Sequence, residues 1–401
     1  MPEDEVSVSS SKARITSMDV VRGLIMVLMA IDHVRVYSGN PAGGPTPGIF
    51  FTRWVTHFVA PGFLFFAGTG AFLHGAKLGD KTKLAKFLVS RGLWLVLLEL
   101  TFLRFAWTFN FDYAHYSLAG VIWMIGWCMV LMGALIHLPM WAIGTFGVAT
   151  MLLHPALNAL GDAAQHSALS WLWQILYFGG GFSLNGADDG PPLLILFVIV
   201  PWIGVMAAGY AFGPVMRWTA DRRRTLCLGA GLGAIALFVV LRALDLPLDP
   251  RSWHQQAAKG FPAALAFLNT NKYPASPLFL MMTLGPLIAL LPLVENAHGW
   301  LAQKLEVFGR VPLFYYILHI PLIHLAAIVV SLIRTGAITP WMFANHPMNP
   351  GPAPAGYMWS LPLLYLVWAI VVVILYFPCR WYAALRARNK GTVLGTYLSY
   401  L

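Results

Sequence analysis

Charge is what this sequence has least of. Only 10% of its 401 residues are Asp, Glu, Lys or Arg, against about 25% in an average soluble protein. Hydrophobic residues make up 58%, and the mean hydropathy is +0.69. That balance excludes a soluble globular domain and points to a polytopic membrane protein. Acidic residues are scarcer than basic ones, 16 against 26, for a net charge of +10. The positive residues follow alternating loops and do not gather in one patch, so no nucleic-acid partner is implied. Cysteine is rare. Cys128, Cys227 and Cys379 sit in or beside apolar segments, so they read as small core residues and not as a disulfide framework. The N-terminus, MPEDEVSVSSSKARITS, lacks the cationic start and apolar middle of a cleavable signal. The first apolar helix is therefore expected to stay in the mature protein. No HExxH, paired CxxC, P-loop or GxSxG with a triad occurs, so metal and serine-hydrolase chemistry lack support. The glycines at 179–181 lack the strand–helix setting of a nucleotide fingerprint. No internal repeat suggests a two-halves transporter.

What the sequence does contain is apolar runs of membrane-spanning length. They fall at 18–37, 50–75, 86–108, 117–138, 140–157, 191–213, 224–243, 276–295, 308–333 and 359–380. The expected fold is an all-α polytopic membrane protein, a single bundle of about ten transmembrane helices, or eleven. Three longer outward loops, at about 158–190, 244–275 and 334–358, are expected to cap the outer mouth. The run Trp171 to Phe182 reads as a short amphipathic or re-entrant piece. With ten spans, Lys81, Lys83, Lys86, Arg217, Arg222, Arg223, Arg224, Arg386 and Arg388 share the side of both termini, which the positive-inside rule makes cytoplasmic. The domains read as a disordered N-terminus (1–17), a membrane domain (18–385) and a basic cytoplasmic tail (386–401). The expected location is a plasma membrane, the inner membrane of a bacterium.

The first span, MDVVRGLIMVLMAIDHVRVY, carries the costliest residues. Asp19, Arg22, Asp32, His33 and Arg35 lie at or near membrane depth, where ionisable groups usually face a bundle interior or a water-filled cavity. At 100° per residue Arg22, Met26, Met29 and His33 form one stripe. Arg22 and His33 are roughly 16 Å apart along the axis. The stripe thus bears a fixed cation at one end and a titratable imidazole at the other, as one wall of a site reached from both sides would. The plainer reading of Asp32 is an interfacial pair with Arg35 at i+3.

In the second span Arg53 and His57 are i,i+4 neighbours at about the depth of His33, with Pro61 able to bend the helix. His57 is equally readable as a packing histidine. The third span holds Arg91, Glu99 and Arg104, and a structural ion pair is the expected partner of Glu99. Asp112 and His115 should lie in an exposed outer turn. The ninth span opens with Arg310 and puts Tyr316 and His319 on one face, with His324 beyond Pro321.

Together these residues carry a resemblance. SMDVVRGLIMVLMAIDHVR at 17–35, RWVTHFVAPGFLFFAG at 53–68 and PWIGVMAAGYAFG at 201–213 resemble the heparan-α-glucosaminide N-acetyltransferase catalytic-domain family, a branch of the transmembrane acyltransferases. NKYPASPLFLMMTLGP at 271–286, FGRVPLFYYILHIPLIH at 308–324 and CRWYAALR at 379–386 extend the likeness over nearly the whole chain, which is most similar to the bacterial branch. The resemblance implies acyl transfer across the membrane from cytoplasmic acetyl-CoA or another acyl-CoA. The acceptor is an amine or hydroxyl of a sugar or envelope glycan on the far side, and an outer histidine assists. In the animal lysosomal enzyme that histidine lies between the first two spans. Here the connection SGNPAGGPTPGIF has none, and His33 and His57 flank it.

The expected catalytic residues are therefore His33 or His57, with Asp32 nearby. Arg22, Arg310 and Arg91 would attract the phosphates of acyl-CoA, whose arm would run beside His319. Arg53, Lys272 and Tyr273 would contact the acceptor or an oxyanion. No metal is expected. The expected partners are the lipid bilayer, acyl-CoA, the glycan acceptor and a second copy of the chain. The rival reading is a non-enzymatic permease for a small anionic metabolite.

Overall fold

A computed structural model describes residues 16–44, 46–184, 192–345, 353–398 and 400. About 74% of it is helical. The expected disordered N-terminus lies outside the described residues except for its last two positions, and α1 (Ser17–Ser38) opens there. Gly39, at φ 74°, closes α1 in the left-handed conformation that glycine adopts without strain. There follow α2 (Pro47–Trp54), a 3-10 turn at Val55–Phe58, α3 (Val59–Leu78) and α4 (Lys81–Leu98). After a wide turn at Glu99–Leu103 come α5 (Val121–Leu135), α6 (Met140–Leu153), α7 (Trp202–Phe212) and α8 (Ala220–Ala243). The last four are α9 (Pro277–Leu293), α10 (Trp300–Arg310), α11 (Pro312–Thr335) and α12 (Leu361–Arg388).

Each of the ten expected stretches contains helix. Five described helical runs have both the length and the hydropathy to cross a membrane: Pro47–Leu78, Met140–Gln165, Ala220–Ala243, Pro312–Thr335 and Leu361–Arg388. α1 is long enough but carries Asp19, Arg22, Asp32 and Arg35. Burial sorts the bundle from inside to outside. The apolar 18-residue stretch of the Pro47–Leu78 run is 72% buried, while those of α8 and α12 are each 22% buried, and these two helices display residues such as Val240, Val373 and Phe377. An apolar exterior of that extent suits lipid.

The helix α1 lies at the middle, touching α3, α9, α10, α11 and α12. Its closest partner is α10. A Cβ on Gly23 would stand 1.8 Å from the Leu305 carbonyl oxygen, and one on Gly309 would stand 1.8 Å from that of Asp19. Two glycines thus let the backbones touch, the device by which membrane helices pack without a hydrophobic drive.

Two parts of the architecture depart from the all-helical expectation. β1 (Ser117–Ala119) pairs in parallel with β3 (Pro192–Ile195), and β2 (Gly180–Ser183) pairs antiparallel with β3. The spans expected to begin at 117 and 191 therefore open as strands. Arg310, expected to open the ninth span, instead ends α10. Val311 breaks the helix at φ −133°, ψ 51°, because the residue before Pro312 is driven out of the helical region. The helix α12 runs to Arg388, into the stretch expected as a basic tail.

Candidate functional site

Two cavities lie end to end along α1, and Tyr316 lines both. The first, about 350 Å³, is at the Arg22 end. Its walls are apolar, from Met26, Phe66, Leu95 and Ile122 among others, and Arg22, Arg91 and Arg386 stand on its lining. Arg22 is fixed by Asp19 at 3.3 Å and donates to the Gly309 carbonyl at 3.3 Å. Arg91 lies 5.9 Å above the ring of Phe87. Arg386 donates to the carbonyl of Arg310 at 3.1 Å.

The second cavity, about 510 Å³, is at the His33 end. Asp32, His33, Arg35, Arg53, Lys272 and Tyr273 line it, with Glu99 as its deepest acid and Leu118, Leu196 and Phe197 bringing in the sheet. Asp32 accepts from Arg35 Nε at 2.6 Å, so the plain i+3 pair is present on the cavity wall. Glu99 is buried, and its partners are not a cation. Its Oε2 accepts from the backbone N–H groups of Ile122 at 2.8 Å and Trp123 at 3.2 Å. The carboxylate thus closes the N-terminus of α5, where free amides and the helix dipole favour negative charge. A Cβ on Gly120 would come within 2.8 Å of it. This corrects the expectation of an ion pair.

On the wall of the second cavity His33 meets a second histidine, His319, which is buried behind it. His33 Nδ1 lies 2.6 Å from His319 Nε2, and His319 Nδ1 lies 2.6 Å from the Tyr316 carbonyl oxygen. A carbonyl can only accept, so His319 holds its proton on Nδ1 and offers the Nε2 lone pair. His33 must then donate from Nδ1, which leaves its own Nε2 as the basic nitrogen. The His33 ring is further held edge-on by Trp107 at 4.9 Å. The pair amounts to a base with an orienting group, joined across 286 residues of chain.

The other expected residues divide between the two cavities and a third. Arg22 and Arg91 come together as expected, but His319, expected beside the acyl-CoA arm, is fully buried against His33 and does not line the first cavity. Arg310 is outside that lining too; it is exposed and paired with Glu306. Arg386, which the sequence placed in the tail, takes the position on the cavity wall. Its basic character was the only available signal. His57 is not on the lining of the second cavity but on that of a small one shared with Arg53, Lys272 and Tyr273. Asp112 and His115 lie in a turn with exposed side chains, 2.7 Å apart.

No curated relative matches. The family model described as the catalytic region of heparan-alpha-glucosaminide N-acetyltransferase matches residues 14–248, more than half of the chain. That stretch holds Arg22, Asp32, His33, Arg53, His57, Arg91 and Glu99, whereas Lys272, Tyr273, Tyr316, His319 and Arg386 lie beyond it. The chain belongs to the heparan-α-glucosaminide N-acetyltransferase catalytic-domain family.

Proposed function

We propose that the protein is a transmembrane acyltransferase of about ten spans, with both termini in the cytoplasm. Acyl-CoA enters at the Arg22 end, and an amine or hydroxyl of a sugar or glycan enters at the His33 end. The observation that carries this reading is the oriented His33–His319 pair, reached from one side through a mixed-charge cavity and backed on the other by an apolar one lined with three arginines.

The first cavity suits the donor. Guanidinium groups match phosphate geometry, so Arg22, Arg91 and Arg386 are positioned to hold the phosphates, while the apolar wall from Met26 to Tyr316 suits an uncharged arm. The donor supplies an activated acyl carbon. On the acceptor side His33 Nε2 takes the proton as the acceptor's lone pair closes on that carbon, the C–S bond breaks, and the proton leaves with the thiolate. His319 holds the ring in the tautomer that permits this. General-base catalysis of this kind is worth about 10²- to 10⁴-fold.

Purified protein supplied with acetyl-CoA and a panel of amino sugars should release free thiol, and His33→Ala should lose that release. Failure of acetyl-CoA to bind or turn over with any acceptor, while a solute crosses proteoliposomes, would overturn the reading in favour of a permease.

A further inference from the structure

Beside the second cavity lies a smaller one of about 110 Å³, and Arg53, Lys272 and Tyr273 line both. At about 30 Å³ per water it has room for three or four waters, or for one compact polar group. Three cations, Arg53, Arg251 and Lys272, stand on its lining, and among the described residues no Asp or Glu does. Burial of charge without a counter-charge is costly. Yet Lys272 is only 8% exposed, and its ammonium rests over the rings of Phe197 at 5.5 Å and Tyr273 at 5.3 Å. Among the described residues neither Lys272 nor Arg53 has a carboxylate within ion-pair distance.

The neighbouring acids are committed elsewhere. Asp249 accepts from the backbone N–H groups of Arg251 at 2.8 Å and Asn271 at 2.9 Å and from the Ser276 hydroxyl, and it faces Arg242 at 3.9 Å. Asp32 holds Arg35. A second, independent feature points the same way. His57 is 5% exposed, lines this pocket, and its Nδ1 has no hydrogen-bond partner among the described residues.

We infer that this side pocket binds an anionic group, a phosphate or a carboxylate, carried by the acceptor. The acceptor is then a charged amino or hydroxy sugar, not a neutral one. The inference rests on the acyltransferase reading and assigns the acceptor's class. Arg53 and Lys272 hold the charge, Arg251 closes the rim, and His57 supplies a nitrogen to the anion. The sugar's nucleophile is thereby left in the adjoining cavity with His33.

The test separates binding from turnover. In the catalytically silent His33→Ala protein, glucosamine 6-phosphate (phosphate arm) and muramic acid (carboxylate arm) should raise the thermal midpoint where equal glucosamine does not. Inorganic phosphate should do so at higher concentration. Arg53→Gln with Lys272→Met should abolish the shift, and the charge-keeping Arg53→Lys should retain it, which guards against a variant that merely misfolds. In the wild-type protein kcat/KM should favour the better charged sugar by tenfold or more. The inference fails if charged and neutral sugars stabilise alike, or if the charged-sugar shift survives in the double variant. A charged sugar bound through Arg53 and Lys272 with no thiol release from any acyl-CoA would keep the pocket and sink the acyltransferase reading. Thiol release with neutral and charged sugars alike would do the reverse.

Discussion

The two large cavities share α1 and Tyr316 but are built on different physics. The one at the Arg22 end has apolar walls and charges of one sign, held in place by short-range partners. It can grip a long, anionic molecule, and its one imidazole, His74, packs against Phe87 at 4.6 Å and not against a second histidine. The one at the His33 end mixes Asp32, Glu99, Arg53 and Lys272 around a pair of coupled imidazoles. Under the proposed function, binding and chemistry are thus segregated along one helix. Substitutions at the two ends should therefore fail in different ways: one set in the affinity for the donor, the other in the rate.

The strongest break of that contrast is at His319. Alanine there leaves the His33 Nδ1–H without its acceptor and frees the ring to take the other tautomer. A fall in kcat of about 10²-fold is expected, with the KM for acyl-CoA unchanged, within the range for a lost general base. A raised KM with normal kcat would return His319 to the donor site, where the sequence alone had put it.

Next come Arg22→Ala and Arg91→Ala. A charge-assisted hydrogen bond contributes about 1.5–3 kcal/mol, so each should raise the KM for acyl-CoA about tenfold or more at unchanged kcat. The effect should shrink as added salt screens the phosphates. Arg310→Ala should stay within about twofold, since its partner is Glu306 and not the cavity.

Glu99 tests whether the floor of the acceptor cavity is structural. Glu99→Ala strips the acceptor from two buried N–H groups and should cost about 1–3 kcal/mol of stability by thermal or denaturant unfolding. Glu99→Gln, which keeps an acceptor oxygen, should cost less. If both variants stay as stable as wild type but lose turnover, Glu99 belongs to the chemistry.

The smallest effect is expected outside the membrane, at Asp80. Its carboxylate accepts from the backbone N–H groups of Lys83 at 3.1 Å and Thr82 at 2.8 Å, and these bonds, that to Lys83 first, hold its pKa below the ordinary 3.8. A depressed carboxylate stabilises the fold above its unfolded-state value and loses that contribution as pH falls through the folded one. The stability gap between wild type and Asp80→Ala should be small and full at neutral pH. It should close only under acid. A gap indifferent to pH would show that the cap acts without its charge.

Much of this contrast was legible in the residues, because α1 alone spans both cavities. The 11-residue spacing of Arg22 and His33 puts them on one stripe at opposite ends of the helix, and both line cavities there. The partner of His33 was not legible. Placing Tyr316 and His319 on one face says nothing about which helix that face meets, 286 residues away. His57 shares the depth of His33, but it sits in the 3-10 turn between α2 and α3, whose tighter winding alters the direction a regular helix would give. Strands β1 and β3 were hidden because they open longer apolar runs, which look the same in helix and sheet. The break before Pro312 was readable from the proline itself. It mattered because it separates Arg310 from the helix that carries His319.

The crossing of α1 and α10 makes the first helix a lever. Gly23 and Gly309 form its fulcrum, since backbone meets backbone there with no side chain to yield. His33 rides about 15 Å further along the axis. A tilt of roughly 5° at that point swings the imidazole by about 1.3 Å, and misplacement on the order of 1 Å can cost about 10²-fold in rate. The alignment of the His33 ring is in this way set by two hydrogen atoms on glycine, at the other end of the helix.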